Sequence, residues 1–271
     1  MTPMSAGSVI GGGYRFRADP FSLRRALART RLGIDIGGTG IKGGIVDLDT
    51  GELVSERRRV PTPQPSVPEA VAAAVAGLVS EFDYRGPIGL GFPAVVTDGT
   101  VWTANNIDKS WIGFDAGRLF EDVTGAPVSM VNDGDAAALC EVRYGVARDI
   151  PGVVLIITFG TGIGAGLIND GRLVPNLQIG DIELDGHRPA EDYFSAAARD
   201  DEGLSWEEWA ERANRFLSHV KVIFSPRALV MGGGLTRHWD EWSGYLHPAL
   251  GVVRASRANN AGIIGAATLV G

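Results

Sequence analysis

The sequence predicts an α/β fold whose mixed sheets are divided between two related lobes. The tetrapeptide Gly-Thr-Gly-Ile at residues 38–41 recurs at 160–163, and each copy lies between two short apolar runs. In both halves of the chain, strand-like segments come first and helical segments follow, a pattern typical of α/β domains. The 271 residues are enough for two lobes of ordinary size. We therefore expect each lobe to present one glycine turn to a shared cleft.

Each copy of the repeat predicts a β-hairpin with a glycine-rich turn. The first reads LGIDIGGTGIKGGIVD and the second VLIITFGTGIGAGLIND. Glycine allows the backbone angles of such a turn, and it lets an anion reach the free N–H groups without meeting a Cβ atom. We expect both turns to hold phosphate, which points to phosphoryl transfer. The candidate phosphate-binding residues of the turns are Gly37, Gly38, Thr39, Gly40, Thr161 and Gly162.

The other elements follow along the chain. Short apolar runs bounded by turn residues predict strands at 53–60, 88–96, 127–132 and 228–234, of which the second is interrupted by a Phe-Pro turn. A small hairpin is predicted at 96–102. The alanine-rich segment 69–82 predicts an amphipathic helix, with Glu69 in the first turn where an acid favours the helix dipole. Helical patterns also occur at 133–145, 204–224 and 259–270.

Composition excludes several classes of protein. With 45% hydrophobic and 21% charged residues, the chain is typical of a globular protein, and no apolar run reaches the roughly 18 residues that span a bilayer. A net charge of −7 disfavours nucleic-acid binding. The single cysteine, Cys140, excludes an internal disulfide and a zinc site built on several thiolates. We expect a cytoplasmic protein without membrane or nucleic-acid partners.

The N-terminal segment differs from the rest of the chain. Its first 31 residues hold six arginines but a single acid, Asp19. An arginine-rich, acid-poor leader is typical of organelle import, but three consecutive glycines and Pro20 make this one a poor amphipathic helix. We predict that residues 1–30 form a flexible tail, and an import signal is the alternative.

Two other interpretations compete for the first turn. Residues 38–43 match G-x-G-x-x-G, but that dinucleotide fingerprint requires a helix directly after the loop, and here the chain continues as strand. Two tight hairpins without a ligand would explain the glycines but not Asp35, which lies beside the turn. A carboxylate there usually serves a magnesium ion, directly or through water, and a turn cap is the alternative. Lys42 either neutralises phosphate or is solvated.

Six segments in fixed order, DIGGTGIKGGIVD, GFPAVV, ANNIDKSW, VNDGDAAAL, ITFGTGIGAGL and NNAGIIGAA, resemble the ROK family of sugar kinases. The resemblance covers residues 31–271, and ANNIDKSW and GLSWEEW are most similar to the polyphosphate-dependent glucokinase branch. It implies the actin-like (ribonuclease H-like) two-lobe fold of ATPases and sugar kinases. The first lobe would comprise 31–131 and 258–271, and the second lobe 132–257.

The resemblance also implies an activity and its site. Kinases of this kind transfer a phosphoryl group from polyphosphate or ATP, with Mg²⁺, to the 6-hydroxyl of glucose or a related hexose. Asp133 matches the catalytic base, which accepts the proton of the hydroxyl as the phosphoryl group arrives. Asn132 and Asn106 match sugar-contacting asparagines, whose amides both donate and accept. Helix N-capping is the alternative for Asp133, and a turn position is the alternative for Asn106.

The largest departures from the family pattern lie in one loop. Where the family has a Glu-x-Gly-His stretch, this chain has Gln178 and Asp181 at the first and last positions, and a later acid remains as Glu183. The resemblance makes all three candidates for sugar binding. A neutral hydrogen bond contributes about 1 kcal/mol against roughly 1.5–3 kcal/mol for a charge-assisted one. A different acceptor sugar or a polyol, weaker sugar binding and lost catalysis are therefore all open.

The donor and the assembly are also open. ATP would need an apolar adenine slot, which we place near Gly233 and Gly234, whereas polyphosphate, which the resemblance favours, would need a basic track. The candidate cations for that track are Lys109, Arg143, Arg148, Arg172 and Arg237. The segment 186–203 lacks the cysteines of the family's zinc loop, so we expect no zinc site. Homodimers are common in the family, and the candidates for a partner face, which serve equally well as core, are Trp206, Trp209 and Phe216.

Two non-enzymatic functions compete with the kinase. The family includes sugar-sensing regulators, but these need an N-terminal winged-helix domain, and we expect the residues before Arg31 to be too few to form one. An inactive relative that only binds sugar is the other alternative. The presence of Asp35, Asp133 and both glycine turns argues against loss of the chemistry.

Overall fold

The first glycine repeat forms the predicted hairpin. The structure is a computed structural model that describes residues 29–271, so the predicted tail at 1–30 lies outside the described residues except for its last two. Thr30 already begins strand β1 (Thr30–Ile36), which pairs antiparallel with β2 (Gly40–Asp47). Residues 37–39 form the turn between them.

These two strands belong to a six-stranded mixed sheet. Its other strands are β3 (Glu52–Leu53), β4 (Arg58–Pro61), β5 (Ile88–Phe92) and, after a hairpin of β6 (Val96–Thr97) and β7 (Thr100–Val101), β8 (Val128–Asn132). The order is β3-β2-β1-β5-β8, with β4 also paired to β2. Because β1, β5 and β8 run parallel while β2 is antiparallel, the prediction of a mixed sheet is confirmed.

The third strand differs from the prediction. The sequence predicts one strand at 53–60, but the structure has the two short strands β3 and β4, because Ser55 interrupts the ladder between them. The Ser55 hydroxyl accepts a hydrogen bond from the backbone N–H of Ile45 at 2.9 Å, where a regular strand would supply a carbonyl. β4 then pairs with the first half of β2, and this register places Arg59 opposite Lys42.

The second glycine repeat forms a second hairpin in a separate sheet. The strands of this sheet are β9 (Val153–Phe159), β10 (Ile163–Asn169), β11 (Arg172–Val174), β12 (Ala228–Gly233) and β13 (Val252–Arg254). Their order is β11-β10-β9-β12-β13, with β9 antiparallel to β10 and parallel to β12. The two sheets suit the predicted first and second lobes, whose boundaries stay a prediction.

All four predicted helices are present. They are α1 (Pro68–Ser80), α3 (Asp133–Tyr144), α6 (Trp206–Phe224) and α8 (Ala261–Ala267), and the unpredicted ones are α2 (Ala116–Thr124), α4 (Glu191–Phe194), α5 (Ala196–Glu202) and α7 (Trp239–Trp242). Within residues 29–271, no helix has the length and apolarity needed to cross a membrane. On α6, Trp209 and Phe216 are fully buried and belong to the core of the second lobe, so they form no partner face.

Alternation along the strands decides which side chains meet which helix. In β5, whose sequence is IGLGF, the apolar residues join the core under α1 and α2, while the glycines face the other way. On that opposite face α8 packs directly on the sheet. A Cβ atom at Gly33 would lie 2.0 Å from the carbonyl oxygen of Ile263, and one at Gly89 would lie 1.8 Å from that of Ala266. These two positions therefore require glycine.

Helices α3 and α8 pack against each other and join the two sheets, since α3 also covers β9 and β10. Their contact is equally close, because a Cβ atom at Gly265 would lie 1.6 Å from the carbonyl oxygen of Ala136. Cys140 of α3 lies in this contact, fully buried beside Ile263 and Ile264. Burial and the neighbouring Glu141 raise the pKa of its thiol. We name this contact the α3–α8 seam.

Candidate active site

The two glycine turns face one cavity of about 270 Å³, which lies between the sheets. Of the residues proposed from the sequence, those that line it are Asp35, Gly37, Gly38, Thr39, Gly40, Lys42, Asn106, Asn132, Asp133, Thr161, Gly162, Gln178, Asp181, Gly233 and Gly234. Glu183 does not line it and is exposed. The chain thus brings into one cleft proposed residues that range from Asp35 to Gly234.

Both turns are closed by their own backbone. The N–H of Gly37 donates to the carbonyl of Gly40 at 3.0 Å, and the N–H of Gly160 donates to that of Gly162 at 3.0 Å. Within the described residues, no backbone partner is found for the N–H groups at positions 38, 39, 161 and 162. These groups are therefore available to an anion in the cleft.

The start of α3 separates capping from the candidate catalytic carboxylate. Asn132 is the N-cap, and its Oδ1 accepts from the N–H groups of Gly134 at 2.9 Å and Asp135 at 3.2 Å. Its Nδ2 donates to the carbonyl of Ala94 at 3.1 Å. Helix capping therefore does not require Asp133, and the alternative reading of that residue loses its support. One N–H of Asn132 remains for a ligand.

The carboxyl group of Asp133 has a pKa well above its usual value. Desolvation is the largest cause that raises its pKa from 3.8 to about 7, and the negative charge of Asp35 is the next. The N–H of Gly134, which donates to its Oδ1 at 2.8 Å, opposes this rise. A carboxylate with a pKa near neutrality is well matched to removing a proton from a hydroxyl at physiological pH. Asp133 lines the same cavity as both glycine turns.

Asp35 lies at the end of β1 beside the first turn. Its Oδ2 accepts from the ammonium of Lys42 at 3.1 Å, and 14% of the Asp35 side chain is exposed. Helix α8 leaves room for this carboxylate by having glycine at position 262, where a Cβ atom would lie 2.6 Å from its Cγ. The negative charge of Asp35 also contributes to the raised pKa of Asp133.

Glu191 is a site residue that the sequence reading missed. It begins α4, is 8% exposed, and lines the cavity. Its carboxylate accepts from the N–H of Ile163 at 2.9 Å and from the Nδ2 of Asn106 at 3.3 Å. Burial raises its pKa. Glycine at 162 leaves space for it, because a Cβ atom there would lie 2.3 Å from its Oε2.

The loop that departs from the family pattern reaches across the cleft. Asp181 accepts a hydrogen bond from the side-chain amide of Asn105 in the other lobe. Gln178 lines the cavity, and among residues 29–271 the one acceptor found for its Nε2 is the carbonyl of Leu177, at 3.5 Å. The carboxylate of this loop is thus engaged with protein, while the carboxamide of Gln178 is nearly uncommitted.

Asn176 holds that loop in place. Its side chain pairs with both backbone groups of Val96, accepting from the N–H at 3.1 Å and donating to the carbonyl at 3.0 Å. Its own N–H donates to Oδ2 of Asp135 at 2.6 Å. One residue therefore ties the loop to the hairpin of the first lobe and to the start of α3.

The cationic lining of the cavity differs from the five cations that the sequence offers. None of the five candidate cations, Lys109, Arg143, Arg148, Arg172 and Arg237, lines the cavity. Arg59, which the sequence reading did not single out, does line it. Its position follows from the β2–β4 register, which the sequence does not reveal.

Comparison with known proteins connects this site to a family. The family model of the ROK family matches residues 31–192, which include both glycine turns, Asp133 and Glu191.

The chain belongs to the ROK family.

Among proteins similar to this ROK chain is the polyphosphate glucokinase of Mycobacterium tuberculosis (strain CDC 1551 / Oshkosh), 44% identical over 240 residues that cover 88% of this chain and 90% of the relative. Among solved structures, the inorganic polyphosphate/ATP-glucomannokinase from Arthrobacter sp. strain KM is similar with a TM-score of 0.86 and 48% identity, covering 89% of this chain and 98% of that one. The ROK family glucokinase from Streptomyces griseus, in complex with glucose and AMPPNP, is similar with a TM-score of 0.77 and 27% identity, covering 89% and 99%. The predicted actin-like fold and the resemblance to the polyphosphate glucokinase branch are confirmed.

In this ROK protein, the described residues contain no cluster of three or more His, Cys, Asp or Glu side chains arranged to hold a metal ion.

Proposed function

We propose that the chain is a glucokinase-type phosphotransferase, which moves a phosphoryl group from polyphosphate or ATP to the 6-hydroxyl of glucose or a related hexose. One observation carries the proposal: Asp133, a carboxyl group with a pKa raised to about 7, lines the same cavity as two glycine turns with free N–H groups. The similar proteins named polyphosphate glucokinase and polyphosphate/ATP-glucomannokinase support it.

The residues of the cleft divide the work. The N–H groups of both turns and Lys42 hold the phosphates, and the fixed donors stabilise the negative charge that develops on the transferred group. Asn106, Glu191, Gln178 and Asn132 offer the donors and acceptors that sugar hydroxyls need. Asp133 accepts the proton of the attacking hydroxyl, so that the oxygen becomes the nucleophile and the donor loses its terminal phosphoryl group.

Magnesium fits this cleft as the companion of the donor. The negative charge of Asp35 helps to raise the pKa of Asp133, and a divalent cation would relieve that repulsion. Asp35 would hold it, directly or through water, and when bound it would neutralise charge on the phosphates. Lys42, at 3.1 Å from Asp35, supplies a fixed positive charge beside it.

The deciding experiment measures phosphoryl transfer by the full chain from ATP and from long-chain polyphosphate to a panel of hexoses, with magnesium present and with it chelated. We expect transfer to glucose with at least one donor, and loss of transfer on chelation. Transfer to another hexose but not to glucose would favour the alternative of a different acceptor, which the Gln178 and Asp181 departures raise. Glucose binding without transfer from either donor would indicate a sugar-binding relative and contradict the proposal.

The pH dependence of kcat/KM follows from the state of Asp133. Because only the ionised carboxylate can accept a proton, and its pKa is raised to about 7, kcat/KM should fall about tenfold per pH unit below that value and level off above it. The measurement is kcat/KM for glucose from pH 5 to 9 at saturating donor. The residual rate of Asp133→Asn should lack this inflection, and a flat profile for the parent would contradict the assignment.

Restoring the family pattern of the loop should strengthen glucose binding. In the double variant Gln178→Glu with Asp181→His, the new carboxylate gives charge-assisted bonds and Asn105 is released from Asp181. We expect the KM for glucose to fall about tenfold, which corresponds to one such bond. Asp181→Asn is the control, because it keeps an oxygen for Asn105 without the charge. A higher KM in the double variant would mean that the loop suits another acceptor.

We further propose a cytoplasmic homodimer without nucleic-acid or membrane partners. A lone cysteine that is fully buried suits a reducing compartment, and a net charge of −7 disfavours nucleic acid. The mass of the full chain in solution by light scattering tests the homodimer directly.

A further inference from the structure

The charges of the cleft are unevenly placed. Five carboxylates line it, namely Asp35, Asp133, Glu141, Asp181 and Glu191, whereas its cationic lining among residues 29–271 is limited to Lys42 and Arg59. A polyanionic donor entering such a cleft is repelled except where the cations lie. Both cations come from the first lobe, so the favourable approach for phosphate runs along that side.

Arg59 is placed to meet phosphate beside the first turn. In the β2–β4 register Arg59 is opposite Lys42, and side chains of facing residues share one face of the sheet. The guanidinium lies over Gly40, where a Cβ atom would come within 2.6 Å of Nη2. One N–H donates to the carbonyl of Thr39 at 3.3 Å. In the described part of the chain no carboxylate pairs with Arg59, whereas Lys42 is paired with Asp35.

Arg57 extends the same positive edge outward. Its side chain is exposed, and its Nη1 contacts Oδ1 of Asn260 at 3.4 Å, next to Asn259, which lines the cavity. The residue between the two, Arg58, points away and pairs with Glu56 at 3.2 Å and Glu81 at 3.7 Å. The run of three arginines thus splits, with the outer two on the side of the cleft.

We propose that Arg59 and Arg57 form a subsite for the phosphates of a polyphosphate donor that lie beyond the phosphoryl group being transferred. This inference rests on the proposed function. A guanidinium presents paired N–H donors that match phosphate oxygens. ATP ends its charged part after three phosphates and continues as an uncharged nucleoside, whereas polyphosphate stays anionic along its length. Only polyphosphate therefore continues along both arginines, and the subsite distinguishes the two donors.

The test uses a double variant that combines Arg57→Ala with Arg59→Ala. The matched control is Arg58→Ala, which removes the arginine between them. For each, kcat/KM is measured with ATP, tripolyphosphate and long-chain polyphosphate at several salt concentrations. We expect the double variant to lose about tenfold or more in kcat/KM with long-chain polyphosphate, through KM, which corresponds to one lost charge-assisted contact. Its salt dependence with that donor should weaken, because fewer charges are left to screen. The loss with ATP should be clearly smaller, because ATP has too few phosphates to reach both arginines, and all kinetics of Arg58→Ala should stay near those of the parent.

Two results would overturn the subsite: parental kcat/KM of the double variant with long-chain polyphosphate, or an equal loss with polyphosphate and ATP. Failure of the proposed function is distinguishable, because the parent itself would then transfer phosphate from neither donor. In that case direct calorimetry of long-chain polyphosphate with the parent and the double variant still decides. Weaker binding by the double variant supports the subsite, and equal binding rejects it.

Discussion

Asp133→Asn is expected to lower kcat by at least about 100-fold with either donor, since an amide cannot take the proton of the acceptor hydroxyl. The substitution keeps the shape of the side chain and an oxygen that accepts from the N–H of Gly134. It also leaves the helix start intact, because Asn132 is the cap. The measurement is kcat with saturating sugar and donor, alongside the circular dichroism spectrum. A variant with near-parental kcat and a normal spectrum would remove Asp133 from its role.

The same substitution should not destabilise the protein. The pKa of Asp133 is 3.8 in its usual state and about 7 in the fold, so between these values the unfolded chain releases a proton that the folded chain keeps. The raised pKa of Asp133 therefore adds to the free energy of unfolding at low pH, and this added stability is lost as the pH rises from 3.8 to about 7. Above that range, Asp133→Asn should melt no lower than the parent. Asp135→Asn is the matched control, because it alters the other acid of the same helix start, which is fully buried, and keeps an oxygen for Asn176. It should retain most of the activity.

Gly265→Ala is expected to cost about 3 kcal/mol or more of the free energy of unfolding, because its methyl group would overlap a backbone atom that cannot move aside. The added Cβ atom would lie 1.6 Å from the carbonyl oxygen of Ala136, so α3 and α8 would have to separate. The melting temperature should fall by roughly 6 °C or more.

Gly77→Ala supplies the matched control for that prediction. Gly77 also lies in a helix, α1, but an added Cβ atom there meets nothing within 4 Å. Alanine should therefore raise stability by about 0.5–1 kcal/mol through its better helix propensity. If Gly265→Ala melts at the parental temperature while Gly77→Ala behaves as expected, the closeness of the seam is refuted.

Much of the fold is predictable because local patterns and tertiary structure agree. Apolar runs on either side of the glycine turns predict the two hairpins. A strand that ends in Asn132 and is followed by Asp133 and Asp135 predicts the start of α3. Helix α2 also has local start and stop residues, since Asp115 accepts from the N–H of Arg118 and Gly125 ends the helix in the left-handed region. The division of the third strand could not be predicted, because it depends on a hydrogen bond between Ser55 and a residue ten positions earlier.

The site residues next to the glycine turns can be predicted from the sequence. The residues that loops and strand pairing bring to the cleft from elsewhere in the chain cannot. Glu183 is nearer in sequence to the loop of Gln178 and Asp181, yet it is Glu191 that lines the cleft. Glu191 is held there because it begins α4 and because the N–H of Ile163 donates to its carboxylate. Arg59 stands opposite Lys42 through a strand pairing that no local pattern specifies. The roles assigned to the sugar-contacting residues stay predictions.

The lone thiol of the protein has a practical consequence. Cys140 is sealed inside the α3–α8 seam and its pKa is raised, so the native state offers alkylating reagents neither access nor a thiolate. Modification must wait until the two helices part. The rate at which Cys140 is labelled in the unmutated protein therefore measures how often α3 and α8 separate.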